Sequence, residues 1–493
     1  MARFPIRFVG ETDFILIISC AGDQDTGGGL CVFDGSEVKT IDRVSTAGLV
    51  VFEGRLARLL RTPLSTGGGE MVIYDGRGIS QYLRVDELWD AHYLTWDGGQ
   101  FIVASTGNNS VLWVTTAGEI TRRWRAPGEY DSCHLNEAYF ANGRIYGCAF
   151  TKSTEYRGYK QDVHNGSGFV FDLESGREVV QGLSAPHSPR YADGVWTVCD
   201  SLRECVRQFD ASTGREIRRA RVRSFARGLA LTDDFWIVGE SGFRCADKAR
   251  LVFGEDGGDS IGEEPGSGTR AGVVDNASFA ILRRGDLSFV ARFELPFREV
   301  SDIVVAPRHL QSSVTTGFRT NPLRVGEADQ LHLFHQLGIE PVRVWAVSDP
   351  LAPPQCRVRI EADIASRWAP GKLQLLACEV TNLADAFLSS AVPHPVFISY
   401  KWVTPGSPVP LGEGLRNRLP RTLAPGESVR SYIDVKAPES EGRFQLILTL
   451  VQEGVRWFDS VDIGNARCAT VDVVAKVPMT PPEPVQALGP SAP

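Results

Sequence analysis

The sequence predicts an all-β protein, with a six-bladed β-propeller followed by an immunoglobulin-like β-sandwich. The chain has 493 residues, with 50 glycines and 28 prolines among many short β-branched runs, a composition typical of strands joined by tight turns. A pattern of four short strands recurs along the first part of the chain, and such units of ~40–50 residues are typical of propeller blades. The pattern stops after Pro307 and becomes all-β again from about residue 346.

Each unit opens with an apolar strand followed by a polar turn. In the most regular unit the predicted strands are His92–Trp96, Gln100–Ser105, Ser110–Thr115 and Glu119–Trp124. Phe14–Ser19 starts a unit that lacks its first strand, and Asp302–Ala306 is a first strand without the rest. Joined, the two ends complete a sixth unit, and this closure removes free sheet edges. We therefore predict a propeller over residues 12–310.

The remainder of the chain divides into three parts. Residues 311–345 are polar and predict a linker, in which Asp329–Ile339 could form one short helix. Residues 346–477 show strands spaced as in an immunoglobulin-like sandwich. The proline-rich residues 478–493 predict a disordered tail. The predicted sandwich strands include Leu373–Val380, Val396–Trp402, Val429–Val435 and Arg443–Gln452.

Bulk properties exclude several functions. The net charge is −8 and basic residues form no block, which argues against nucleic acid as a partner. The ten cysteines form no C-x-x-C pair, so we expect free, buried thiols in a reducing compartment. No apolar run is long enough for a signal peptide core or a membrane span, so we expect a cytoplasmic protein. There is no G-x-S-x-G, no P-loop and no dinucleotide fingerprint.

The longest predicted loops lie between the second and third strands of their units. The topology places them on the face where the first strands begin, and long loops on one face of a rigid scaffold usually carry function. Gly254–Gly272, inside one of them, is acidic and glycine-rich, but its spacing matches no calcium-binding EF-hand. These loops are Ala21–Gly29, Arg61–Gly69, Thr151–Ser167 and Glu240–Asn276.

His92, His134 and His187 occupy one position of the repeat. Equivalent positions of a circular repeat converge on its axis, so these three imidazoles could bind a divalent metal ion with sites left for water and substrate. Two alternatives remain open. The histidines could contact a ligand without metal, or they could bond to backbone carbonyls and water in a polar channel.

Further candidates surround the histidines. Arg227 and Arg190 are predicted to clamp a carboxylate or phosphate as catalytic residues, and the alternative is an Arg–Asp pair with Asp302. Asn136 is predicted on the same side as His134 and would contact substrate, as would Asp302.

The loop Thr151–Ser167 adds four candidates. Tyr156, Tyr159 and Lys160 could act as acid, base or sugar platform, and His164 could contact substrate. Exposed loop residues without a role are the alternative.

Three runs resemble a bacterial family of uncharacterised propeller proteins, known only as a domain of unknown function. The resemblance covers about residues 12–310 and implies the propeller fold without an established activity. The runs are Ser132–Asn136, Gly182–Arg190 and Phe225–Ala230.

The C-terminal part, about residues 370–475, resembles the sandwich domains of polysaccharide-export ATPases and glycan-modifying transferases. In the export proteins these domains recognise glycan chains. The histidine set is also similar, at the level of fold alone, to that of metal-dependent polyuronide lyase propellers. The C-terminal resemblance is carried by Ser399–Trp402, Arg418–Pro420, Leu423–Glu427 and Leu448–Phe458.

Two hypotheses follow. The first is a metal-dependent lyase or hydrolase that acts on an anionic saccharide or another carboxylate-bearing substrate at the propeller mouth. The alternative is a non-catalytic protein that binds a glycan or a protein in exopolysaccharide or envelope biosynthesis.

Overall fold

The computed structural model describes residues 14–22, 28–61, 68–242, 276–316, 350–390, 394–407, 409–419 and 422–475. The chain forms two compact units, Met1–Val344 and Trp345–Pro493. Four sequence predictions lie outside the described residues: the acidic insertion Gly254–Gly272, the helix Asp329–Ile339, the tail 478–493 and the thiol of Cys245.

The described part of the first unit contains six four-stranded antiparallel sheets. Three strands of the first sheet are β1 (Phe14–Ala21), β2 (Gly29–Phe33) and β3 (Val38–Asp42). The second and third sheets are β4 (Thr46–Phe52), β5 (Arg55–Leu60), β6 (Gly69–Asp75) and β7 (Gly78–Val85), then β8 (Ala91–Trp96), β9 (Phe101–Ser105), β10 (Ser110–Val114) and β11 (Ile120–Arg125).

The fourth and fifth sheets follow in the same order along the chain. The fourth comprises β12 (Leu135–Ala141), β13 (Arg144–Ala149), β14 (Gly168–Asp172) and β15 (Glu178–Leu183), and the fifth β16 (Pro186–Ala192), β17 (Val195–Asp200), β18 (Cys205–Asp210) and β19 (Glu216–Arg221). The sixth comprises β20 (Phe225–Leu231), β21 (Phe235–Ser241), β22 (Ser278–Arg283) and β23 (Phe289–Glu294), and β24 (Glu299–Pro307) completes the first sheet.

The two ends of this unit meet in one sheet. β24 pairs antiparallel with β1, with Ile15 opposite Ala306 and Ile18 opposite Ile303. The predicted joining of Phe14–Ser19 with Asp302–Ala306 is therefore confirmed. The first strands of the sheets also contact one another in a closed cycle, in the order β4, β8, β12, β16, β20, β24 and back to β4.

The sequence explains which strand of each sheet lies innermost. The first three strands are largely apolar and buried, as in β1, where seven of eight residues are buried. The fourth strands are charged, and β11 and β19 expose most of their residues. Charged side chains on an outer edge prevent edge-to-edge pairing, so the apolar strands face the neighbouring sheets and the charged strand faces water.

Two α-helices are described in this unit. Helix α1 (Tyr159–Asp162) lies in the loop between β13 and β14. Helix α2 (Leu310–Thr316) packs on β6 and β7 and buries Leu310 and Val314 in the core between the first two sheets. The prediction of a linker from residue 311 is therefore wrong at its start, because two apolar residues four positions apart anchor a helical turn. Short 3-10 helices occupy Thr106–Asn108, Val163–Asn165, Ser201–Arg203, Pro353–Gln355 and Ile463–Asn465.

The second unit is built of two sheets around one core. A three-stranded sheet and a seven-stranded sheet share buried side chains, among them Val380, Ile433, Ile398 and Leu446. The predicted strands are confirmed to within two residues. In chain order the strands are β25 (Val358–Ala362), β26 (Arg367–Trp368), β27 (Leu373–Asn382), β28 (Val396–Val403), β29 (Pro410–Glu413), β30 (Asn417–Arg418), β31 (Ser428–Lys436), β32 (Gly442–Gln452), β33 (Arg456–Trp457) and β34 (Arg467–Val473).

The nine cysteines of the described residues are free thiols, and all but Cys468 are buried. Burial raises the pKa of the Cys148 thiol well above its usual value, so this thiol stays protonated and unreactive. Within the described ranges, no helix has the length and apolarity needed to cross a membrane.

Candidate functional site

Three inner strands are each preceded by a residue with a left-handed backbone conformation. Asp90, His134 and Ala185 have φ angles of +45°, +49° and +49°, and each directly precedes the first residue of β8, β12 or β16. Left-handed φ angles are uncommon outside glycine, so this shared feature aligns the three strands. The first residues of the three strands, Ala91, Leu135 and Pro186, are therefore equivalent. The second residues are equivalent as well, and these are His92, Asn136 and His187.

Hydrogen bonds between neighbouring sheets identify the equivalent residues of β12, β20 and β24. The hydroxyl of Thr106 donates to the carbonyl of Leu135 at 2.7 Å, that of Ser201 to Ala226 at 2.5 Å and that of Ser241 to Val300 at 3.1 Å. The residue after each acceptor is therefore equivalent: Asn136, Arg227 and Ser301.

These equivalent positions define what we call the inner ring. The strand register shifts at or beside each of them, between Ala91 and Tyr93 in β8 and between Leu135 and Glu137 in β12. A β-bulge of this kind adds one unpaired residue and redirects its side chain. The polar residues of the inner ring are His92, Asn136, His187, Arg227 and Ser301.

The predicted repeat position is thus correct for His92, His187 and Arg227 and wrong for His134 and Asp302. His134 lies two residues before the ring position of its strand, which Asn136 occupies. Asp302 lies one residue after the ring position, which Ser301 occupies. The one-residue offset of Asp302 follows from the bulge in β24, which hydrophobic periodicity does not reveal. The two-residue offset of His134 follows from aligning this unit on its histidine.

His92 and Asn136 are joined directly. His92 Nδ1 lies 2.7 Å from Asn136 Oδ1, and because an amide oxygen only accepts, Nδ1 carries the proton. His92 Nε2 lies 3.4 Å from Asp90 Oδ1 and 3.5 Å from Arg61 Nη1. Burial lowers the pKa of His92 and outweighs the opposing charge of Asp90. Although burial alone would raise it, the pKa of Asp90 is lowered by the charges of His92 and Arg61.

His134 is held by a carboxylate and two aromatic rings. Its Nδ1 lies 2.8 Å from Asp131 Oδ1, so Nδ1 donates and Nε2 keeps its lone pair. The rings of Phe150 and Tyr159 each have centroids 4.4 Å from that of His134. The His92 ring lies edge-on at 5.2 Å. His134 and His92 are therefore neighbours even though they are not equivalent.

His187 makes a separate set of contacts. Its Nδ1 lies 2.9 Å from the carbonyl of Ala185 and 2.8 Å from Ser201 Oγ, so here too Nδ1 is the donor. Phe150 and Phe225 pack at 5.3 Å on its ring. Burial, followed by the charge of Arg227, lowers the pKa of His187 well below its usual value. The neutral ring therefore presents Nε2 as an acceptor.

The three histidines do not fit a shared metal ion. Within the described residues, no group of three or more histidine, cysteine, aspartate or glutamate side chains is arranged to hold one. Phe150 packs on both His134 and His187. The described residues therefore show no grouping that corresponds to the predicted three-histidine site, and no step below depends on a metal.

Arg190 is enclosed among protein groups. It is 9% exposed, and its guanidinium lies 5.1 Å from the Tyr93 ring and 5.2 Å from the Tyr139 ring. It pairs with Glu137 at 3.3 Å and with Asp302 at 3.5 Å. This is the Arg–Asp pair that the sequence offered as the alternative, and it ties four inner strands together. Arg190 and Asp302 are thus engaged structurally, rather than presented to a substrate.

Two carboxylates compete for the charge of Arg190. Burial raises the pKa of Glu137. Burial, with the charge of Glu137, raises the pKa of Asp302 to about 7, against the attraction of Arg190. Asp302 Oδ2 also accepts the backbone N–H of Leu49 at 3.0 Å. One cation facing two buried carboxylates favours retention of a proton in the cluster near neutral pH.

Arg227 is the charged residue of the inner ring, and it is 6% exposed. Its Nη1 donates to Glu299 Oε1, so the cation is neutralised in place. Arg227 is positioned in the ring as predicted, but paired with a carboxylate of the protein.

The loop candidates are only partly near the site. Lys160 in α1 and His164 in the following turn are exposed, and Tyr156 is half-buried with its backbone N–H on Glu129 Oε2 at 2.9 Å. Tyr159 is the residue of this loop that contacts His134.

Two buried polar atoms at ring positions lack a hydrogen-bond partner. Among the residues that the structure describes, Asn136 Nδ2 and Ser301 Oγ find none, although the two residues are only 1% and 4% exposed. Buried polar groups are almost always bonded, to protein or to ordered water. Sequence reasoning missed Ser301 and Asp131, although Asp131 stands three residues before His134, a spacing that could have nominated it.

Comparisons with known proteins give one family match and several solved structures of low identity. Residues 57–256 match the model of a family described as a domain of unknown function, DUF4915. The match fits the resemblance to a bacterial family of uncharacterised propellers, and it covers about two fifths of the chain. No curated protein matches.

Solved structures share low identity with this chain. A protein of unknown function from Bacteroides caccae is 12% identical, covering 60% of this chain and 99% of its own, with a TM-score of 0.41. A calcium-binding protein, regucalcin, from Agrobacterium tumefaciens is 10% identical, covering 54% and 80%, with a TM-score of 0.36. A chain of a nidogen/laminin complex is 9% identical, covering 60% and 99%, with a TM-score of 0.41.

Proposed function

We propose that the first unit is a six-bladed propeller whose inner ring binds a small, neutral, hydroxyl-rich ligand of the saccharide class. The six four-stranded sheets and the closed cycle of contacts between their first strands support the blade number. The ring collects residues from five of those strands at one depth, as small-molecule sites require.

The observation that carries the proposal is the pair of buried, unsatisfied atoms Asn136 Nδ2 and Ser301 Oγ. Leaving a buried donor unsatisfied costs about 1–3 kcal/mol. A ligand oxygen that accepts from Asn136 would recover this free energy. Bonds from several ring residues to one ligand would fix its orientation.

The remaining groups of the site favour hydroxyls. The imidazoles of His92, His134 and His187 donate through Nδ1. This leaves Nε2 of His134 and of His187 as acceptors, whereas Nε2 of His92 faces Asp90 and Arg61. Hydroxyl groups both donate and accept, so one polyol can satisfy these acceptors together with the Asn136 donor. The half-buried ring of Tyr159 beside His134 offers an apolar face for the C–H groups of a sugar.

The charges favour a neutral ligand over the predicted anionic one. Arg190 pairs with Glu137 and Asp302, and Arg227 pairs with Glu299. An anion would have to displace a buried carboxylate, and breaking a buried ion pair is costly.

Isothermal titration calorimetry tests this proposal with four probes: glucose, galactose, glucuronate and inorganic phosphate. We expect a neutral hexose to bind, and Asn136→Leu to weaken that binding at least ~10-fold through the lost hydrogen bond. His309→Asn, a change at an exposed histidine outside the inner ring, should bind as the wild type does. Binding of phosphate or glucuronate alone, or equal hexose affinity in Asn136→Leu, would overturn it. Unchanged melting temperatures confirm that the variants fold.

For the second unit we propose an immunoglobulin-like sandwich. Two mainly antiparallel sheets enclosing one core support this assignment, as does Trp402, which is buried in that core and donates from Nε1 to the carbonyl of Lys436 in the opposite sheet.

A further inference from the structure

The pair Asp131 and His134 lies beside the inner ring without belonging to it. Both residues are buried, and Asp131 Oδ1 accepts from His134 Nδ1 at 2.8 Å. A carboxylate bonded to Nδ1 fixes the imidazole tautomer and orients Nε2 for proton transfer.

The backbone around Asp131 is fixed by the neighbouring sheet. Asp131 N–H donates to the carbonyl of Gly107 at 2.9 Å, and Ser132 N–H donates to Asn109 Oδ1 at 3.0 Å. The side-chain amide of Asn109 also donates to the carbonyl of Glu129. Three hydrogen bonds to Gly107 and Asn109, in and beside a 3-10 turn of the preceding blade, therefore hold the backbone around Asp131 in place, as preorganised sites require.

The imidazole ring of His134 is clamped as well. Phe150 and Tyr159 pack against it at 4.4 Å each, and the Tyr159 N–H donates to the carbonyl of Ser132 at 3.1 Å. The long loop Thr151–Ser167 thus forms one wall around the dyad. A ring locked in this way loses little entropy when it receives a proton.

A second group suits the same chemistry. Asn136 Nδ2 is a buried amide donor without a partner among the described residues, and its Oδ1 is fixed by His92 Nδ1 at 2.7 Å. The His92 ring in turn packs on His134 at 5.2 Å. A preorganised amide donor next to a base can stabilise an oxyanion.

We propose that Asp131 and His134 form a general acid–base dyad that hydrolyses an ester on the bound ligand, with Asn136 Nδ2 as the oxyanion donor. This inference rests on the proposed function for the ligand class, an O-acylated saccharide.

The reaction balances with these groups and water. His134 Nε2 takes a proton from water while the water oxygen forms a bond to the ester carbonyl carbon. The carbonyl oxygen becomes an oxyanion that accepts from Asn136 Nδ2. The C–O bond to the alcohol then breaks, and His134 returns its proton to the leaving alkoxide. The products are a carboxylic acid and a sugar hydroxyl.

Other reactions suit the site less well. Glycoside hydrolysis usually needs two carboxyl groups flanking the bond, whereas Asp131 is bonded to His134 and Asp90 lies against His92. Elimination from a uronate needs a cation for the carboxylate, and Arg227 is paired with Glu299.

Hydrolysis of 4-nitrophenyl acetate, followed by absorbance of the released phenolate, tests the dyad. The wild type should exceed the His134→Asn variant ~100-fold or more, the usual size of general-base catalysis. Asparagine is chosen because His134 has a φ of +49°, and asparagine tolerates this conformation. Asp131→Asn should also lose rate, because an amide no longer selects the tautomer. His309→Asn, at an exposed histidine outside the inner ring, should keep the wild-type rate.

Equal rates in the wild type and a folded His134→Asn variant would overturn the dyad. The result is separable from the test of the proposed function. Hexose binding that depends on Asn136, together with equal ester rates, removes only the dyad. A His134-dependent ester rate without hexose binding removes the saccharide class.

Discussion

His92 Nδ1 donates to Asn136 Oδ1 across 2.7 Å, and the two residues are equivalent positions of neighbouring sheets, 44 residues apart in the chain. The bond fixes the imidazole tautomer and the orientation of the amide at once. It leaves Asn136 Nδ2 as the donor for the proposed ligand, while His92 Nε2 faces Asp90 and Arg61. Two residues of the inner ring thus orient each other's side chains.

Replacing the amide with a carboxylate should change the protonation of His92. In the wild type, burial lowers the pKa of His92. In Asn136→Asp the new negative charge would favour imidazolium, so we expect the pKa to rise. Titration of the imidazole C–H resonances by NMR measures it, with the exposed His309 as an internal control. An unchanged His92 titration would contradict this contact.

Arg190 should be essential for stability. Arg190→Met leaves Glu137 and Asp302 buried without their cation, and breaking a buried pair costs about 3–5 kcal/mol. The double variant Arg190→Met/Asp302→Asn should recover part of the loss. Chemical denaturation measures both.

A matched control for Arg190 is Arg123→Met. Arg123 pairs with Glu87 at 2.6 Å, but both side chains are about half exposed, so this change should cost about 0–1 kcal/mol. Similar losses of unfolding free energy in the two single variants would show that the buried ion pairs of Arg190 stabilise the fold no more than an exposed pair does.

The Asp302 cluster should also give a distinctive pH dependence. Its pKa of about 7 lies above the ordinary value of 3.8, so between these values the folded protein binds more protons than the unfolded chain. This group therefore contributes stability that is lost as the pH rises toward 7 and above. Arg190, Glu137 and Tyr93 face it.

Denaturant unfolding at several pH values, for the wild type and Asp302→Asn, isolates that contribution. The difference in unfolding free energy should move in favour of the wild type as the pH falls from about 7 to 5. Parallel curves across this window would contradict the raised pKa.

The aromatic ring of Tyr159 should support ester hydrolysis by the Asp131–His134 dyad. Tyr159→Phe keeps the wall against His134 and should retain most of the ester hydrolysis rate. Tyr159→Ala removes the wall, and a loosened base should lose about 10-fold or more in rate. Hydrolysis of 4-nitrophenyl acetate measures both, and equal rates in the two variants would show that this packing is irrelevant.

The strands were predictable because their pattern is local. Strand ends such as Trp96 and Ser105 follow from apolar runs bounded by glycine-containing turns, and the joining of β24 to β1 follows from counting incomplete units. The linker prediction failed at Leu310–Thr316 because a polar stretch with two apolar anchors still packs as a helix.

The site was only partly predictable for a different reason. His92, His187 and Arg227 were nominated from the repeat and Asn136 from strand alternation with His134, and the structure brings His92, His187, Asn136 and Arg227 into one ring. The repeat was aligned on the histidine before β12, so His134 was assigned to the place that Asn136 occupies two residues later. The packing of Phe150 between histidines, and the pairing of Arg227 with Glu299, depend on contacts between blades. The spacing of residues along the chain does not predict these contacts.

A crystal structure of the protein soaked with a neutral hexose tests whether the inner ring binds a sugar. We expect the sugar at the inner ring, with one oxygen accepting from Asn136 Nδ2 and another bonded to Ser301 Oγ. Water molecules alone on these two atoms, with the sugar absent or bound elsewhere, would contradict it.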